Sequence, residues 1–213
     1  MFAALSKFKV IPHVKVKDLT VDDAVNVAEA LAEGGLPVME LMFRRHSDSM
    51  AIKAIATKIP EFWIGAGGIL NKDQLLRAMD AKARFGIAPG INIETLKEAN
   101  RRNIMFAPGA CTPSDIENII LNGFVDFQFF PAEQSGGVKR LKAILDPFDH
   151  LPLDVFAKGD IGPEKIREYL EIPQVTAVSV DWVAKCEYIE AKNWKKITES
   201  AKEAKRMADE IEM

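Results

Sequence analysis

Short apolar runs alternate with longer amphipathic segments along the whole chain. Most of these runs are rich in Val, Ile and Phe and are bounded by Gly or Pro, which is typical of strands that are buried on both faces. The pattern predicts eight strands, over residues 10–16, 38–43, 63–66, 85–88, 104–107, 124–130, 153–157 and 177–180.

The segments between these runs repeat apolar residues at a spacing of three and four, which predicts about eight helices. One covers residues 21–31, with Thr20 as its N-cap and Gly34-Gly35 at its end. Another begins at Thr112-Pro113, where a proline in the first turn favours a helix start. The last, from roughly residue 191 to 211, carries charges along one face and is predicted to be an outer solvated helix.

Eight strands that alternate with helices favour a closed parallel sheet over an open one. Each strand–helix unit has about 27 residues, so there is little room for a second domain. We therefore predict a single-domain α/β fold, a (βα)8 TIM barrel, over residues 1–213.

Composition narrows the function classes. The chain has 213 residues, of which 48% are hydrophobic and 28% charged, and this excludes a disordered protein. A net charge of −3 and a pI near 5.7 argue against nucleic-acid binding. No apolar run approaches about 20 residues, so no membrane partner is expected. Two cysteines and no signal-peptide pattern predict a cytoplasmic protein.

The chemistry of such a barrel lies where the carboxyl ends of the strands lead into the helices. The segments at these strand ends, here called windows, contain more ionisable residues than a packed core needs. A metal site is not expected, because no HxH or CxxC spacing is present. The ionisable residues in the windows are His13, Lys15, Glu40, Arg44, Arg45, Glu133, Lys158, Asp160 and Asp181.

Several of the same windows carry a resemblance that runs nearly end to end. The chain resembles the 2-keto-3-deoxy-6-phosphogluconate (KDPG) and 4-hydroxy-2-oxoglutarate (KHG) aldolase family, and the FQFFPAE and GGVK stretches are the most specific signs. The resemblance implies a homotrimeric class I aldolase that needs no cofactor and takes a small-molecule carbonyl substrate. It also implies a Schiff-base lysine, a proton-transferring glutamate and a glycine-rich phosphate site. The matching segments are Ile11-Pro12, Glu40 with Arg44, Gly65-Ala66-Gly67, Pro89-Gly90, Pro108-Gly109, residues 127–133, residues 136–139 and Trp182.

The chain departs from the family pattern at the nucleophile. The resemblance places the Schiff-base lysine in an FKFFPA stretch, but this chain has Gln128 there. The next strand, which ends in PTGG in the family, reads Ala157-Lys158-Gly159-Asp160. Because adjacent strands lie about 4.8 Å apart, Lys158 could deliver its amine into the same pocket. The alternative is a lysine that pairs with Asp160 or Asp181 or reaches solvent.

The segments that form the phosphate site in the family also differ in this chain. Asp160 replaces a glycine of PTGG, and the family's GGSW reads Ser179-Val180-Asp181-Trp182. Two carboxylates would repel a phosphate, so a non-phosphorylated substrate is predicted. Gly68 stands where the family has a threonine, and the smaller residue leaves more space in the substrate pocket. Pro89, Gln128 and Phe130 are predicted to line the substrate pocket with it.

The remaining candidates each have a structural alternative. Glu40 matches the family glutamate and Arg44 could clamp a substrate carboxylate, or the two could form a structural ion pair. His13 could be a core histidine or could form an acid–base dyad with Asp160 or Asp181. Lys15 could be a second cation at the pocket mouth or a rim lysine, and Cys111 is predicted to be a small filler.

The leading hypothesis is an aldolase whose Schiff-base lysine has moved to Lys158, with Glu40 as the proton-transfer group. It would cleave a non-phosphorylated keto acid or β-hydroxy ketone. Coordinated changes confined to strand ends indicate either a redesigned barrel or a natural paralogue, and the sequence leaves both open. Two further hypotheses are an inactive binding scaffold, which Gln128 favours, and an acid–base enzyme that uses Glu40 or a His13–Asp dyad without covalent catalysis.

Overall fold

The computed structural model describes residues 2–211, so the ends of the predicted 1–213 domain lie outside the described residues. The predicted α/β barrel is confirmed. Within residues 2–211, nine strands form one sheet in the order β5-β4-β3-β2-β1-β9-β8-β7-β6, and every pairing is parallel. The strands are β1 Val10–Val14, β2 Val38–Met42, β3 Trp63–Gly67, β4 Phe85–Ile87, β5 Phe106–Ala107, β6 Gly109–Ala110, β7 Asp126–Phe129, β8 Asp154–Lys158 and β9 Val175–Val180.

The ninth strand arises because strand pairing runs past the predicted fifth strand, over residues 104–107, and is interrupted at Pro108. A proline has no N–H to donate to the ladder, so β5 ends before Pro108 and β6 begins after it. β5 pairs with β4, while β6 pairs with β7. The Pro108 carbonyl accepts a hydrogen bond from the Gln128 N–H at 2.8 Å, which continues the barrel wall across the break.

Helices surround the sheet, and their caps follow the sequence. Thr20 caps the first helix, as predicted, and Thr112 caps the one that begins at Pro113. The predicted final helix over residues 191–211 is wrong at its start, because Asn193 caps a helix that begins at Trp194. The helices are α1 Val21–Glu33, α2 His46–Lys58, α3 Lys72–Asp80, α4 Ile93–Arg101, α5 Pro113–Leu121, α6 Gly137–Leu145, α7 Ile166–Leu170, α8 Cys186–Glu190 and α9 Trp194–Asp209.

The barrel interior has an apolar level and a polar level. Alternate residues of a strand point to the same face. A residue two positions after an inward-facing apolar residue therefore also points into the barrel. The apolar cluster includes Leu5 and Phe8, which precede β1 at the amino end of the barrel. The polar level lies toward the carboxyl ends, where the apolar cluster gives way to buried His13, Glu40, Gln128, Lys158 and Ser179.

No helix within residues 2–211 combines the length and the apolar character that crossing a bilayer requires.

We expect Thr20→Ala to lower the free energy of unfolding by about 1 kcal/mol, because Thr20 Oγ1 accepts a hydrogen bond from the Asp23 N–H at 3.1 Å. Denaturant unfolding followed by circular dichroism measures the change. Thr57→Ala is the matched control, since Thr57 is a helical residue whose hydroxyl donates only to the Lys53 carbonyl of its own helix. Equal losses in the two variants would contradict the capping role.

Candidate active site

A pocket of about 290 Å³ opens at the carboxyl ends of the strands. The strand ends bring together all the predicted site residues, of which Glu40 alone does not line the pocket and is fully buried. The lining residues are His13, Lys15, Met42, Arg44, Gly68, Pro89, Gln128, Phe130, Pro131, Gln134, Lys158, Gly159, Asp160, Ser179 and Asp181.

A buried ion pair joins two walls of the barrel. Lys158, the last residue of β8, donates a hydrogen bond from Nζ to Oε1 of Glu40 on β2. The Lys158 side chain is 10% exposed and that of Glu40 is 0% exposed. The predicted alternatives in which Lys158 pairs with Asp160 or Asp181, or extends into solvent, are therefore wrong, since its amine points into the barrel.

The Ser179 hydroxyl also contacts the Glu40 carboxylate, and the absence of a side chain on Gly67 leaves room for it. Glu40 Oε2 lies 3.4 Å from the Ser179 hydroxyl, which donates to it. A Cβ on Gly67 would collide with Oε1, so only glycine leaves room for the carboxylate at this position of β3. Burial favours the neutral acid, but Lys158, His13 and the Ser179 hydroxyl together outweigh that penalty and hold the pKa of Glu40 below its usual range.

His13 is the neighbour of Glu40 in the register of β1 and β2. It is 8% exposed, and its Nε2 meets no hydrogen-bond partner among the described residues. Burial lowers the pKa of His13 from 6.5 to about 4, although the nearby Glu40 carboxylate acts in the opposite direction. The imidazole is therefore neutral near pH 7.

The predicted dyad of His13 with an aspartate is not formed within the described residues. Asp181 acts on His13 only through a weaker charge interaction than that of Glu40, and Asp160 is not among the groups that shift its pKa. Asp160 instead accepts a hydrogen bond from the Gln134 side-chain amide.

Gln128 occupies the inward face of β7 and is 3% exposed. Its Nε2 donates to the Ala88 carbonyl at the end of β4. Its Oε1 is buried and accepts no hydrogen bond from any described residue. The amide of Gln128 is thus fixed in the pocket wall.

Arg44 is an exposed cation at the pocket mouth. Within residues 2–211 its guanidinium forms no ion pair, while the adjacent Arg45 pairs with Asp48 and Asp18. The predicted alternative of a Glu40–Arg44 ion pair is wrong, because Lys158 takes that carboxylate. The Arg44 side chain is therefore available to an anionic ligand.

The loop after β7 fixes the end of β8. The Ala132 N–H donates to the Lys158 carbonyl at 2.8 Å, and the Glu133 N–H donates to the Gly159 carbonyl at 3.2 Å. A Cβ on Gly159, whose φ is +126°, would lie 2.6 Å from the Ala132 nitrogen. This close approach requires glycine and anchors the backbone that carries Lys158.

Sequence reasoning did not assign roles to Ser179, Gly67 or Gln134. Ser179 could have been found, because it follows apolar Ala177 by two residues and so lies on the same face of the predicted strand. Gln134 gave no such signal, since it belongs to a loop. Cys111 lies outside the pocket lining, and its thiol donates to the Ser135 hydroxyl. Within the described part of the chain, no three or more His, Cys, Asp and Glu side chains group as a metal site.

The sequence and the fold are both similar to those of known aldolases. The family model described as KDPG and KHG aldolase matches residues 2–200. A 2-dehydro-3-deoxy-phosphogluconate aldolase of Pseudoalteromonas atlantica is 40% identical over 199 residues, which are 93% of this chain and 91% of that protein. The KHG/KDPG aldolase of Escherichia coli K12 is 38% identical over 195 residues, covering 92% of this chain and 90% of that protein.

A solved structure with a similar fold is that of KDPG aldolase from Legionella pneumophila, with pyruvate captured at low pH as a covalent carbinolamine intermediate. Its TM-score is 0.89 at 32% identity, and the match covers 96% of this chain and 98% of that one.

The lowered pKa of His13 predicts an acid-sensitive contribution to stability. Because the unfolded state binds a proton near pH 6.5 and the folded state only near pH 4, the free energy of unfolding should fall as the pH drops between them. The loss is absent near pH 7 and reaches about 3 kcal/mol at pH 4. Denaturant unfolding across this range, compared with His13→Asn, measures it. A parallel pH dependence in the two proteins would contradict a depressed pKa.

Proposed function

This chain belongs to the family of KDPG and KHG aldolases, and from that membership we propose that it is a class I aldolase whose Schiff base forms on Lys158. Its substrate class is a non-phosphorylated 2-keto acid or β-hydroxy ketone that carries a hydroxyl two carbons from the carbonyl. The single observation that carries the proposal is the buried Lys158–Glu40 pair beside the pocket.

The position of the amine supports this choice of nucleophile. Two lysines line the pocket, and Lys15 is exposed while Lys158 is buried. Gln128, at the family position, has no nucleophilic nitrogen. An imine forms by attack of a neutral amine, so the nucleophile needs a nearby base, and Glu40 is in hydrogen-bond contact with Lys158.

The first half of the proposed reaction forms the imine. Glu40 takes a proton from the Lys158 ammonium, and the free amine attacks C2 of the substrate to form the N–C2 bond. The carbonyl oxygen gains the proton from Glu40, and the proton lost by nitrogen returns to Glu40. Glu40 then protonates the C2 hydroxyl, which leaves as water while the nitrogen lone pair forms the iminium.

The second half breaks the carbon–carbon bond. The Glu40 carboxylate accepts the proton of the C4 hydroxyl, the C3–C4 bond breaks, and its electron pair moves into the iminium to give an enamine and an aldehyde. Glu40 then protonates C3, and water hydrolyses the resulting iminium. One carboxylate thus serves every proton transfer, which is consistent with its contact to the amine.

The pocket mouth supports recognition of a carboxylate at one end. Arg44 has no ion pair among the described residues, and a guanidinium binds a carboxylate through two parallel hydrogen bonds. We assign Gly68, Pro89 and Phe130 to the walls around the substrate.

The opposite part of the mouth supports a substrate without a phosphate. Asp160 and Asp181 follow the neighbouring strands β8 and β9 and both line the pocket. The family's phosphate site uses glycines at these loops, whose backbone N–H groups approach the anion. Carboxylates repel a phosphate but accept hydrogen bonds from hydroxyl groups.

The homotrimer stays a prediction from family membership.

We expect incubation with pyruvate and borohydride to leave a reduced adduct on Lys158, located by intact-mass spectrometry and peptide mapping. Lys158→Met should remove the adduct and reduce retro-aldol turnover to the uncatalysed rate, because no other pocket lysine contacts a base. Lys97→Met, a change on the exposed face of α4, is the matched control and should keep both.

Three other outcomes would contradict this assignment. An adduct on Lys15 would keep the mechanism and move the nucleophile. Turnover that survives Lys158→Met would indicate acid–base catalysis without a covalent intermediate. A folded wild-type protein with neither adduct nor turnover would indicate a binding scaffold.

We expect kcat/KM for a 2-keto-3-deoxy sugar acid to exceed that for its phosphate ester by about tenfold or more, because of repulsion by Asp160 and Asp181. The double variant Asp160→Gly with Asp181→Asn should narrow this ratio by raising kcat/KM for the ester. Asp73→Asn, on the outer helix α3, is the control and should leave the ratio unchanged. A wild-type preference for the ester would contradict the proposed substrate class.

A further inference from the structure

Gln128 carries a buried acceptor that the fold leaves without a protein donor. The Ala88 carbonyl can only accept a hydrogen bond, so the amide nitrogen of Gln128 must face it, and this fixes the orientation of the amide. Oε1 is consequently the free end, and no described residue donates to it. Buried polar atoms are nearly always satisfied, so an unsatisfied acceptor in a pocket-lining residue points to a ligand that brings the donor.

The placement of Gln128 relates it to both members of the ion pair. Gln128 pairs in register with Phe156 on β8, and Lys158 follows Phe156 by two residues on the same inward face. β2 and β7 are separated by β1, β9 and β8 on one side of the barrel. On the other side they are separated by β3, β4, β5 and β6, so Glu40 and Gln128 stand on opposite walls.

The proposed reaction supplies one hydroxyl at the point between these walls. A carbinolamine on Lys158 carries an O–H on C2, and the iminium is later hydrolysed by a water at the same carbon. Gln128 cannot donate a proton from Oε1 and carries no charge that would compete for the Lys158 ammonium. Its oxygen therefore suits a role as a neutral acceptor.

We infer that Gln128 is a catalytic residue of this aldolase, whose Oε1 accepts a hydrogen bond from the C2 hydroxyl of the carbinolamine and then from the water that leaves. This inference rests on the proposed Schiff base at Lys158.

The step balances with the groups present. Glu40 gives its proton to the C2 hydroxyl oxygen, the C2–O bond breaks, and the nitrogen lone pair forms the C=N bond of the iminium. The hydrogen bond to Oε1 increases electron density on the hydroxyl oxygen and so favours its protonation. The departing water remains hydrogen-bonded to Oε1. In hydrolysis it attacks C2 from that position, and Glu40 accepts the proton that the water loses.

The test compares two variants of Gln128, of which one loses the acceptor oxygen and the other keeps it but gains a carboxyl charge. Gln128→Met and Gln128→Glu both lose the N–H that donates to Ala88, but only the glutamate keeps an acceptor oxygen. The readout is exchange of the pyruvate carbonyl oxygen with 18O-labelled water, followed by mass spectrometry, because this exchange requires formation and collapse of the carbinolamine. We expect the exchange rate to fall about tenfold or more in Gln128→Met and to recover most of that loss in Gln128→Glu.

The outcomes separate this inference from the proposed function. No borohydride adduct on Lys158 of the wild-type protein would refute the proposed function itself. An adduct on Lys158 with equal exchange rates in the wild type and Gln128→Met would refute the role of Gln128 alone. Equal losses in both variants would indicate a structural role, through the Ala88 contact.

A second measurement uses the wild-type chain and covers the case in which the variants do not fold. In a crystal soaked with pyruvate and frozen with the adduct on Lys158, we expect the C2 oxygen or the water beside C2 within about 3.2 Å of Gln128 Oε1. A C2 oxygen that points away from Gln128, with no bridging water, would overturn the inference.

Discussion

The ion pair between Lys158 and Glu40 is the interaction on which the site depends. Removing two charges from water carries a large desolvation penalty, and a buried pair repays it only with good geometry and additional hydrogen bonds. Here Ser179 donates to the second carboxylate oxygen, and Gly67 leaves the space that the carboxylate fills. Loss of either charge would leave the other buried and unpaired, at a cost of about 3–5 kcal/mol.

The rest of the barrel supports this pair. Below it, an apolar cluster that includes Leu5, Phe8 and Phe156 separates the charges from the amino end of the barrel. Beside it, the loop after β7 bonds to the Lys158 carbonyl and sets where β8 ends. In the proposed mechanism, the same contact places a proton acceptor beside the amine.

The charges around the pocket are balanced but unevenly placed. Among the described residues that line or underlie it, three are cations and three are carboxylates. Arg44 lies at the loop after β2, while two carboxylates follow β8 and β9, so one end of the mouth favours an anion and the other favours hydroxyl groups. The residues are Lys15, Arg44, Lys158, Glu40, Asp160 and Asp181.

The barrel could be predicted from the sequence, because buried strands and amphipathic helices leave periodic signatures that depend only on near neighbours in the chain. The sequence also indicated which windows hold the chemistry, since all parallel strands end at the same face. The folded protein was needed to reveal that Lys158 pairs with Glu40 rather than with an aspartate, and that Pro108 interrupts the strand pairing. These facts depend on side chains from distant strands and on where each carboxylate finds room, and the free oxygen of Gln128 follows from the same packing.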